Sequence, residues 1–293
     1  MDHSLTSEVE LTRKVAYGEV AAVRIFLSAA VVITLVAALS WPRIASSAPY
    51  RRNMGVKVPI PATYATYLRR VSTSTAIILF TAVILTLLYI RFGALVFTRG
   101  QLWWINGEDG ILESISAMIL LVAAGISALV AYRIGRGHPR FGMHIFLAIL
   151  FFLMCGEEIS WGQRIFGLET PEGLRAVNVQ GEINLHNNFG YIADHLFILC
   201  FLIWAALVPL SYHFVPPLRQ MILRIGLPVP SAGLAIAMVM AGMMLDPVIY
   251  QVIPPLKTLR LAEARETLAA IAFLLLMWEV KKYFADAQWE REN

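Results

Sequence analysis

The chain has 293 residues, of which 58% are hydrophobic and only 15% are charged, and its mean hydropathy is +0.66. A soluble domain carries about 25% charged residues, so this composition excludes an ordinary soluble protein and indicates a polytopic membrane protein. The formal net charge of +4 resides in loop Lys and Arg residues. In a membrane protein such residues report orientation and contact with lipid headgroups, and they do not indicate nucleic-acid binding.

Seven apolar runs are long enough, or nearly so, to cross a hydrocarbon core about 30 Å thick. Because backbone polar groups in lipid must be satisfied internally, each run is predicted to be a helix. The sequence therefore predicts an all-α membrane bundle that forms one domain over residues 1–293. The predicted spans are Val23–Trp41, Ser74–Ile90, Ile111–Tyr132, Met143–Glu158, Ile192–Tyr212, Ala232–Tyr250 and Glu266–Tyr283.

The connections between these spans alternate in charge. Three of them, residues 42–73, 133–141 and 213–228, contain basic residues and no acid, whereas the acids from Glu108 to Glu266 lie in or beside the opposite connections. By the positive-inside rule the basic connections are cytoplasmic. The sequence thus predicts a protein of the bacterial cytoplasmic membrane with its N-terminus outside, its C-terminus inside and an acidic periplasmic face.

Two adjacent carboxylates end the fourth span. Glu157 and Glu158 follow the apolar run from Met143 to Cys155 after a single residue, Gly156. Ionisable groups at such a depth are rare and mark a protein interior or a wet cavity, usually with a partner. Arg164 is the expected counter-charge, because a bidentate Arg–carboxylate pair lowers the cost of burial.

Three more carboxylates stand at the starts of spans. Glu113 lies near the start of the third span, and Glu263 and Glu266 lie at the start of the last one. Acids in a first helical turn interact favourably with the helix dipole, which is a sufficient structural explanation. Glu113 lies deeper in its span than Glu108 and Asp109, which precede it. It is therefore a site candidate, and Glu266 is a further one.

The long connection between spans four and five is rich in polar side chains. Thr170-Pro171-Glu172 predicts the start of a short interfacial helix. Glu182 and His186, four residues apart, would share a face of a helix and bind one metal or pass one proton, or else they lock a loop by hydrogen bonding. His195 follows Asp194 at the start of span five; it is either a general acid or ligand, or a histidine satisfied by a neighbour.

These residues indicate three alternative functions. The first is an integral membrane enzyme acting on a lipid or lipid-linked substrate, with catalytic candidates Glu113, Glu157, Glu158, Arg164, Glu182, His186 and His195. A divalent metal such as Zn, Mn or Fe, held by Glu158, Glu182, His186 and His195, would activate water, and a metal-free carboxylate mechanism fits the same residues. The others are a non-catalytic accessory subunit that docks a membrane protein partner, and a proton- or cation-coupled transporter.

Two stretches resemble an uncharacterised bacterial family of polytopic membrane proteins. They are Glu108 to Glu113, and Gly156 to Gly167 continued by Gln180 to Asn187, which read GEEISWGQRIFG and QGEINLHN. The resemblance covers roughly residues 100 to 200. It implies a membrane protein and brings no activity with it.

A weaker resemblance is to the CAAX-protease and bacteriocin-processing family of intramembrane proteases. That family has a Glu pair with an Arg four residues beyond the second Glu, and here Arg164 lies two residues later than that. Neither His186 nor His195 has the Phe four residues before it, or the Asn or Asp four residues after it, that the family pattern requires. The resemblance implies a glutamate that activates water and histidines that stabilise the oxyanion.

Overall fold

The computed structural model describes residues 36, 43, 62–107, 110–138, 140–172, 183, 191–243 and 261–292. The chain divides into two compact units, Met1–Asn53 and Met54–Asn293, and the helices named below belong to the second. They are α1 (Ala62–Val96), α2 (Arg99–Asn106), α3 (Ile111–Ile134), α4 (Phe141–Glu158), α5 (Gln163–Phe166), α6 (Tyr191–Leu202), α7 (Val208–Phe214), α8 (Pro216–Ile225), α9 (Ala232–Met243) and α10 (Leu261–Glu292). A 3₁₀ turn, Ser160–Gly162, precedes α5, and a π-helical segment, Ile203–Leu207, joins α6 to α7. In the described part of the chain all regular secondary structure is helical, and there is no strand.

By length and composition, four stretches are long and apolar enough to cross a membrane: Ser72–Val96, Arg99–Ile134, which includes α2 and α3, Phe141–Glu158 and Leu196–Phe214. Three of them contain the predicted spans Ser74–Ile90, Ile111–Tyr132 and Met143–Glu158, and the fourth overlaps most of the predicted span Ile192–Tyr212. The sixth predicted span is described only over α9, which has 12 residues. The seventh lies within α10, which carries charged residues near both ends of its apolar part. The first span, Val23–Trp41, lies almost wholly outside the described residues, so the count of seven stays a prediction.

Helix α10 is the central element of the bundle. It packs against α1, α3 and α9, and its side chains Leu268, Ala272 and Leu276 are buried. The Phe273 ring contacts Phe151 of α4 at a centroid distance of 5.2 Å and Phe201 of α6 at 5.5 Å. Apolar side chains on the outer helices point away from this core and are exposed, as lipid contact requires.

Polar contacts between helices fix the direction in which each helix runs. The Ser116 and Thr267 hydroxyls are 2.9 Å apart, so α3 and α10 start at the same end. Ser127 donates to the His144 carbonyl at 2.9 Å, which sets the late part of α3 beside the start of α4. The bundle therefore has an acidic end, where α3 and α10 start and α4 finishes, and a basic end, where α3 finishes and α4 starts.

With a rise of 1.5 Å per residue, the 24 residues of α3 put these ends about 35 Å apart. The charge segregation of the sequence is thus a segregation between the two ends of one bundle. The interfacial helix predicted to start at Thr170 lies almost wholly outside the described residues, because residues 173–182 are not among them.

Candidate functional site

The acidic end brings Glu158 together with carboxylates of two other helices. The Glu158 side chain, which is half-buried, interacts electrostatically with Glu266 and Glu263 of α10 and with Glu113 of α3, in that order of strength. Glu113 and Glu263 lie in the first turns of their helices, where the dipole favours a negative charge. Glu158 ends α4, where the dipole opposes one. Of these four residues, Glu158 has the least favourable position.

The residues that follow Glu158 form a tight turn with unusual backbone angles. Ser160 and Trp161 have φ values of 44° and 54°, and Gly162 follows at 75°. A non-glycine residue in this left-handed region costs about 1–3 kcal/mol. Such a turn persists only where its surroundings hold it, and contacts on both sides of it do so here.

One of these contacts joins Trp161 to the end of α4. The indole Nε1 of Trp161 donates to Glu157 Oε1 at 2.8 Å. The indole ring lies against Gly156, where an added Cβ would be 2.9 Å from two of its carbons. Gly156 is therefore the residue that allows the ring to approach α4. Glu157, a sequence candidate for the site, is a hydrogen-bond acceptor within this turn.

A second contact ties the turn to the long loop. The Gln163 side-chain amide donates to Thr170 Oγ1 at 2.7 Å, and its carbonyl oxygen accepts from the Ile183 backbone N–H at 2.7 Å. Gln163 thus bridges positions 7 and 20 residues further along the chain. Most residues from Glu157 to Gln163 form the turn and its contacts. The Glu158 side chain, in contrast, faces the bundle.

A buried arginine lies next to the carboxylates. Arg265 follows Ala264 on α10 and is 5% exposed. Its Nη2 is 3.5 Å from Glu266 Oε1. Arg265 also borders a small space lined by Phe197, Phe201 and Gly242. A buried guanidinium beside an acid retains its charge and lowers the cost of burying that acid. Arg265 is not among the site candidates named from the sequence.

An apolar cavity of about 420 Å³ adjoins the acidic end. It is lined by Trp104 of α2 and by the outer face of the first turns of α3, including Ser114, Ile115 and Met118. Glu113 precedes Ser114 in the same helical turn. The volume is within the range of about 300–1,000 Å³ that is usual for ligand pockets.

For the remaining predicted site residues, the structure describes at most the backbone. The backbone of Arg164 lies in α5 and that of His195 lies in α6, while their side chains are not described. Glu182 and His186 lie outside the described residues. The pairing of Arg164 with Glu157 or Glu158, and the role of either histidine, therefore stay predictions.

Metal binding by the four candidate ligands also stays a prediction. In the part of the chain that the structure describes, no group of three or more His, Cys, Asp or Glu side chains is arranged to hold a metal ion. Glu158 is the one proposed ligand whose side chain is described. Among the described residues, the carboxylates thus interact through space without forming a coordination point for a metal ion.

The basic end holds residues that sequence reasoning missed. Glu279 of α10 is half-buried and accepts hydrogen bonds from Thr75 and Ser231. A lone carboxylate within an apolar helix is itself a signal of a polar interior, and Glu279 lies inside the predicted last span. His144 and His213, which are not among the site candidates named from the sequence, line a cavity together with Glu279.

Comparisons of the chain with protein-family models, with curated proteins and with solved structures find no match. The site is accordingly defined by the contacts of its own residues. The strongest feature is Glu158, which ends a membrane-length helix and interacts electrostatically with the carboxylates of Glu113, Glu263 and Glu266.

Proposed function

We propose that this protein is an integral membrane enzyme whose active site lies at the acidic end of the bundle. The observation that carries the proposal is the position of Glu158 among Glu113, Glu263 and Glu266. Like charges brought together at a helix C-terminus oppose folding. Ionisable residues in membrane helices are costly and are usually functional. We therefore infer that the Glu158 carboxyl group takes part in a reaction.

Glu158 acts in this mechanism as the general acid and base. A carboxyl group within hydrogen-bond reach of a substrate takes a proton from water or a hydroxyl and returns it to the leaving group. We assign Arg164, Glu182, His186 and His195 to the same site as candidates for substrate positioning and oxyanion stabilisation.

The substrate class follows from the surroundings of the site. An apolar cavity of about 420 Å³ begins beside Glu113 and is lined by Trp104 and Met118. Trp103 and Trp104 are exposed, as are the aromatic residues that lie at headgroup depth in membrane proteins. A lipid or lipid-linked substrate would place its chain in this cavity and its polar group toward Glu113 and Glu158.

We further propose that the acidic end faces the periplasm of a bacterial cell and that the basic end faces the cytoplasm. Arg133, Arg136 and Arg140 cluster at the finish of α3 and the start of α4, and the positive-inside rule makes that side cytoplasmic. A cysteine introduced at Glu169, in the exposed loop after the turn, is then labelled by a membrane-impermeant maleimide in intact spheroplasts. Labelling only after the membrane is permeabilised contradicts this orientation.

The test of the enzymatic function compares Glu158→Gln with Glu169→Gln, its matched control in the exposed loop. Each full-length protein is reconstituted in nanodiscs made from bacterial polar lipids, and the lipid species are followed by mass spectrometry. We expect the wild type and Glu169→Gln to convert a lipid species that Glu158→Gln converts at least about 100-fold more slowly, as general acid–base roles predict. Conversion by Glu158→Gln at the wild-type rate contradicts the assignment.

A second function, that of an accessory subunit, is favoured by one observation. The Glu157–Trp161 and Gln163–Thr170 hydrogen bonds organise the loop after α4 into a fixed surface, and such a surface is suited to docking a membrane protein partner. If the wild-type protein leaves every lipid unchanged and co-purifies with one partner whose binding is lost on Gln163→Ala, this second function replaces the first.

A further inference from the structure

The basic end contains a cavity of about 450 Å³ that is separate from the acidic site. Its walls come from α1, α4, α7, α8 and α10 and from the loop between α8 and α9. The charged or titratable side chains that line it are Arg140, His144, His213 and Glu279. A cavity of this volume is typical of sites for small molecules, and its walls carry charges of both signs.

The acidic wall is held in place by hydrogen bonds. Thr75 Oγ1 and Ser231 Oγ each donate to Glu279 Oε1 at 2.6 Å, and the Ser231 backbone N–H donates to Glu279 Oε2 at 3.0 Å. These hydrogen bonds hold the carboxylate of α10 against α1, which carries Thr75, and against Ser231, which immediately precedes α9. A carboxylate offers about four acceptor positions, so Glu279 can still accept a donor from a ligand.

The basic wall is shaped by close packing against a glycine. Gly226 has a φ of 76°, and a Cβ at this position would be 2.6 Å from Arg140 Cγ. Gly226 ends α8 with its N–H bonded to the Ile222 carbonyl at 2.9 Å. Only a glycine permits this approach, so the backbone of the loop sets the course of the arginine stem along the cavity wall.

The loop that closes the cavity is anchored to an irregular part of the bundle. Trp204 Nε1 donates to the Pro228 carbonyl at 2.8 Å, and Trp204 lies within the π-helical segment Ile203–Leu207. Segments of π-helix occur often at functional sites. The cavity is therefore pre-formed, because both its charged walls and its loop have fixed partners.

We propose that this cavity binds an aminoalkyl phosphate group. Its ammonium is placed against the Glu279 carboxylate and its phosphate against the Arg140 guanidinium, with the Ser72 and Tyr212 side chains beside them. Arginine suits phosphate because its planar donors pair with two oxygens at once. The apolar part of the lining, Ile222, Leu223 and Val280 among it, suits an attached alkyl chain.

The same chemistry is found in the headgroup of a zwitterionic phospholipid and in free phosphoethanolamine. The purified full-length protein is titrated with three probes: phosphoethanolamine, dihexanoyl-phosphatidylethanolamine and ethyl phosphate, which lacks the ammonium. Binding of the short-chain lipid at least tenfold tighter than that of phosphoethanolamine identifies a lipid headgroup as the source. Equal affinities identify the soluble compound.

Two variants test separately whether Glu279 binds the ammonium and whether Arg140 binds the phosphate. We expect Glu279→Gln to remove a preference of about tenfold for phosphoethanolamine over ethyl phosphate, the effect of about one charge-assisted hydrogen bond. Arg140→Gln should weaken both probes by a similar factor. Arg224→Gln, on an exposed position of α8 outside the cavity lining, is the matched control and should bind as the wild type does.

The proposal is overturned if the wild type binds none of the three probes, or if Glu279→Gln keeps the preference for the ammonium. Should Glu279→Gln fail to fold, Leu223→Trp provides the second measurement, because Leu223 is exposed on α8 and lines the cavity. A tryptophan there should fill the cavity and abolish binding of every probe. Unchanged binding in Leu223→Trp places the probes elsewhere and also overturns the proposal.

Discussion

Replacing Gly156 by alanine tests whether the Trp161 ring holds the turn after α4. The new Cβ would lie 2.9 Å from two ring carbons and 3.0 Å from a third, whereas ordinary contacts between carbon atoms are about 3.5–4.0 Å. The ring must therefore shift by about 0.5–1 Å, and overpacking of this kind costs about 1–3 kcal/mol. The Trp161–Glu157 hydrogen bond of 2.8 Å is stretched by the same shift.

The expected effect is a lower thermal unfolding temperature. For a chain of this size a loss of 1 kcal/mol lowers Tm by about 2–4 °C, so Gly156→Ala should lower it by roughly 2–12 °C. The assay is unfolding of the purified protein in detergent, monitored by intrinsic fluorescence. Gly125→Ala is the matched control, since Gly125 is also within a helix and a Cβ there meets nothing within 4 Å.

A double-mutant cycle isolates the contact from other effects of the substitution. In a Trp161→Ala background the clash is gone, so Gly156→Ala should there cost no more than Gly125→Ala does. Equal Tm values for Gly156→Ala and Gly125→Ala in the wild-type background would refute the close packing of Trp161 on α4.

Two further predictions concern the same end of the bundle. Gln163→Ala removes the acceptor of the Ile183 N–H, so this amide should exchange with deuterium faster, as hydrogen-exchange mass spectrometry measures, while exchange in the middle of α3 stays unchanged. Glu158→Gln removes one of four interacting carboxylates from a helix C-terminus, so it should raise Tm, by an amount equivalent to about 0.3–1 kcal/mol from the dipole alone. A lower Tm in Glu158→Gln would show that its charge is part of a stabilising pair and is not opposed by its neighbours.

The helical class and the charge asymmetry were predictable because both depend on composition and on local pattern. Apolar runs in lipid must be helical, and the acids and bases separate along the chain before any packing is known. The placement of Glu113 and Glu158 at the same end of the bundle follows from the alternation of the helices, because α3 starts where α4 ends. Contacts such as that between Ser116 and Thr267, 151 residues apart, give this alternation its structural basis.

The sequence did not predict that Glu158 faces the bundle while Glu157 accepts a hydrogen bond within the turn. The two residues are adjacent in sequence and about 100° apart around the helix, so the phase of α4 against α3 and α10 decides which one faces the bundle. That phase is set by packing of side chains such as Phe151 against Phe273. The tight turn was missed for a related reason, because positive φ at Ser160 and Trp161 departs from what those residue types favour by themselves.

The placement of polar groups on α10 bears on the transport alternative. Glu266 and Glu279 are 13 residues apart, or about 20 Å along the helix, and each belongs to a different end of the bundle. The side chains between them include Leu268, Ala272, Phe273 and Leu276, all buried against neighbouring helices. A proton or cation moving along α10 would require this apolar stretch to open and admit water, since ions in a membrane interior need polar partners at each step. The proposed catalysis at the acidic end and the proposed ligand binding at the basic end require no such opening, because the two cavities lie at opposite ends of the bundle.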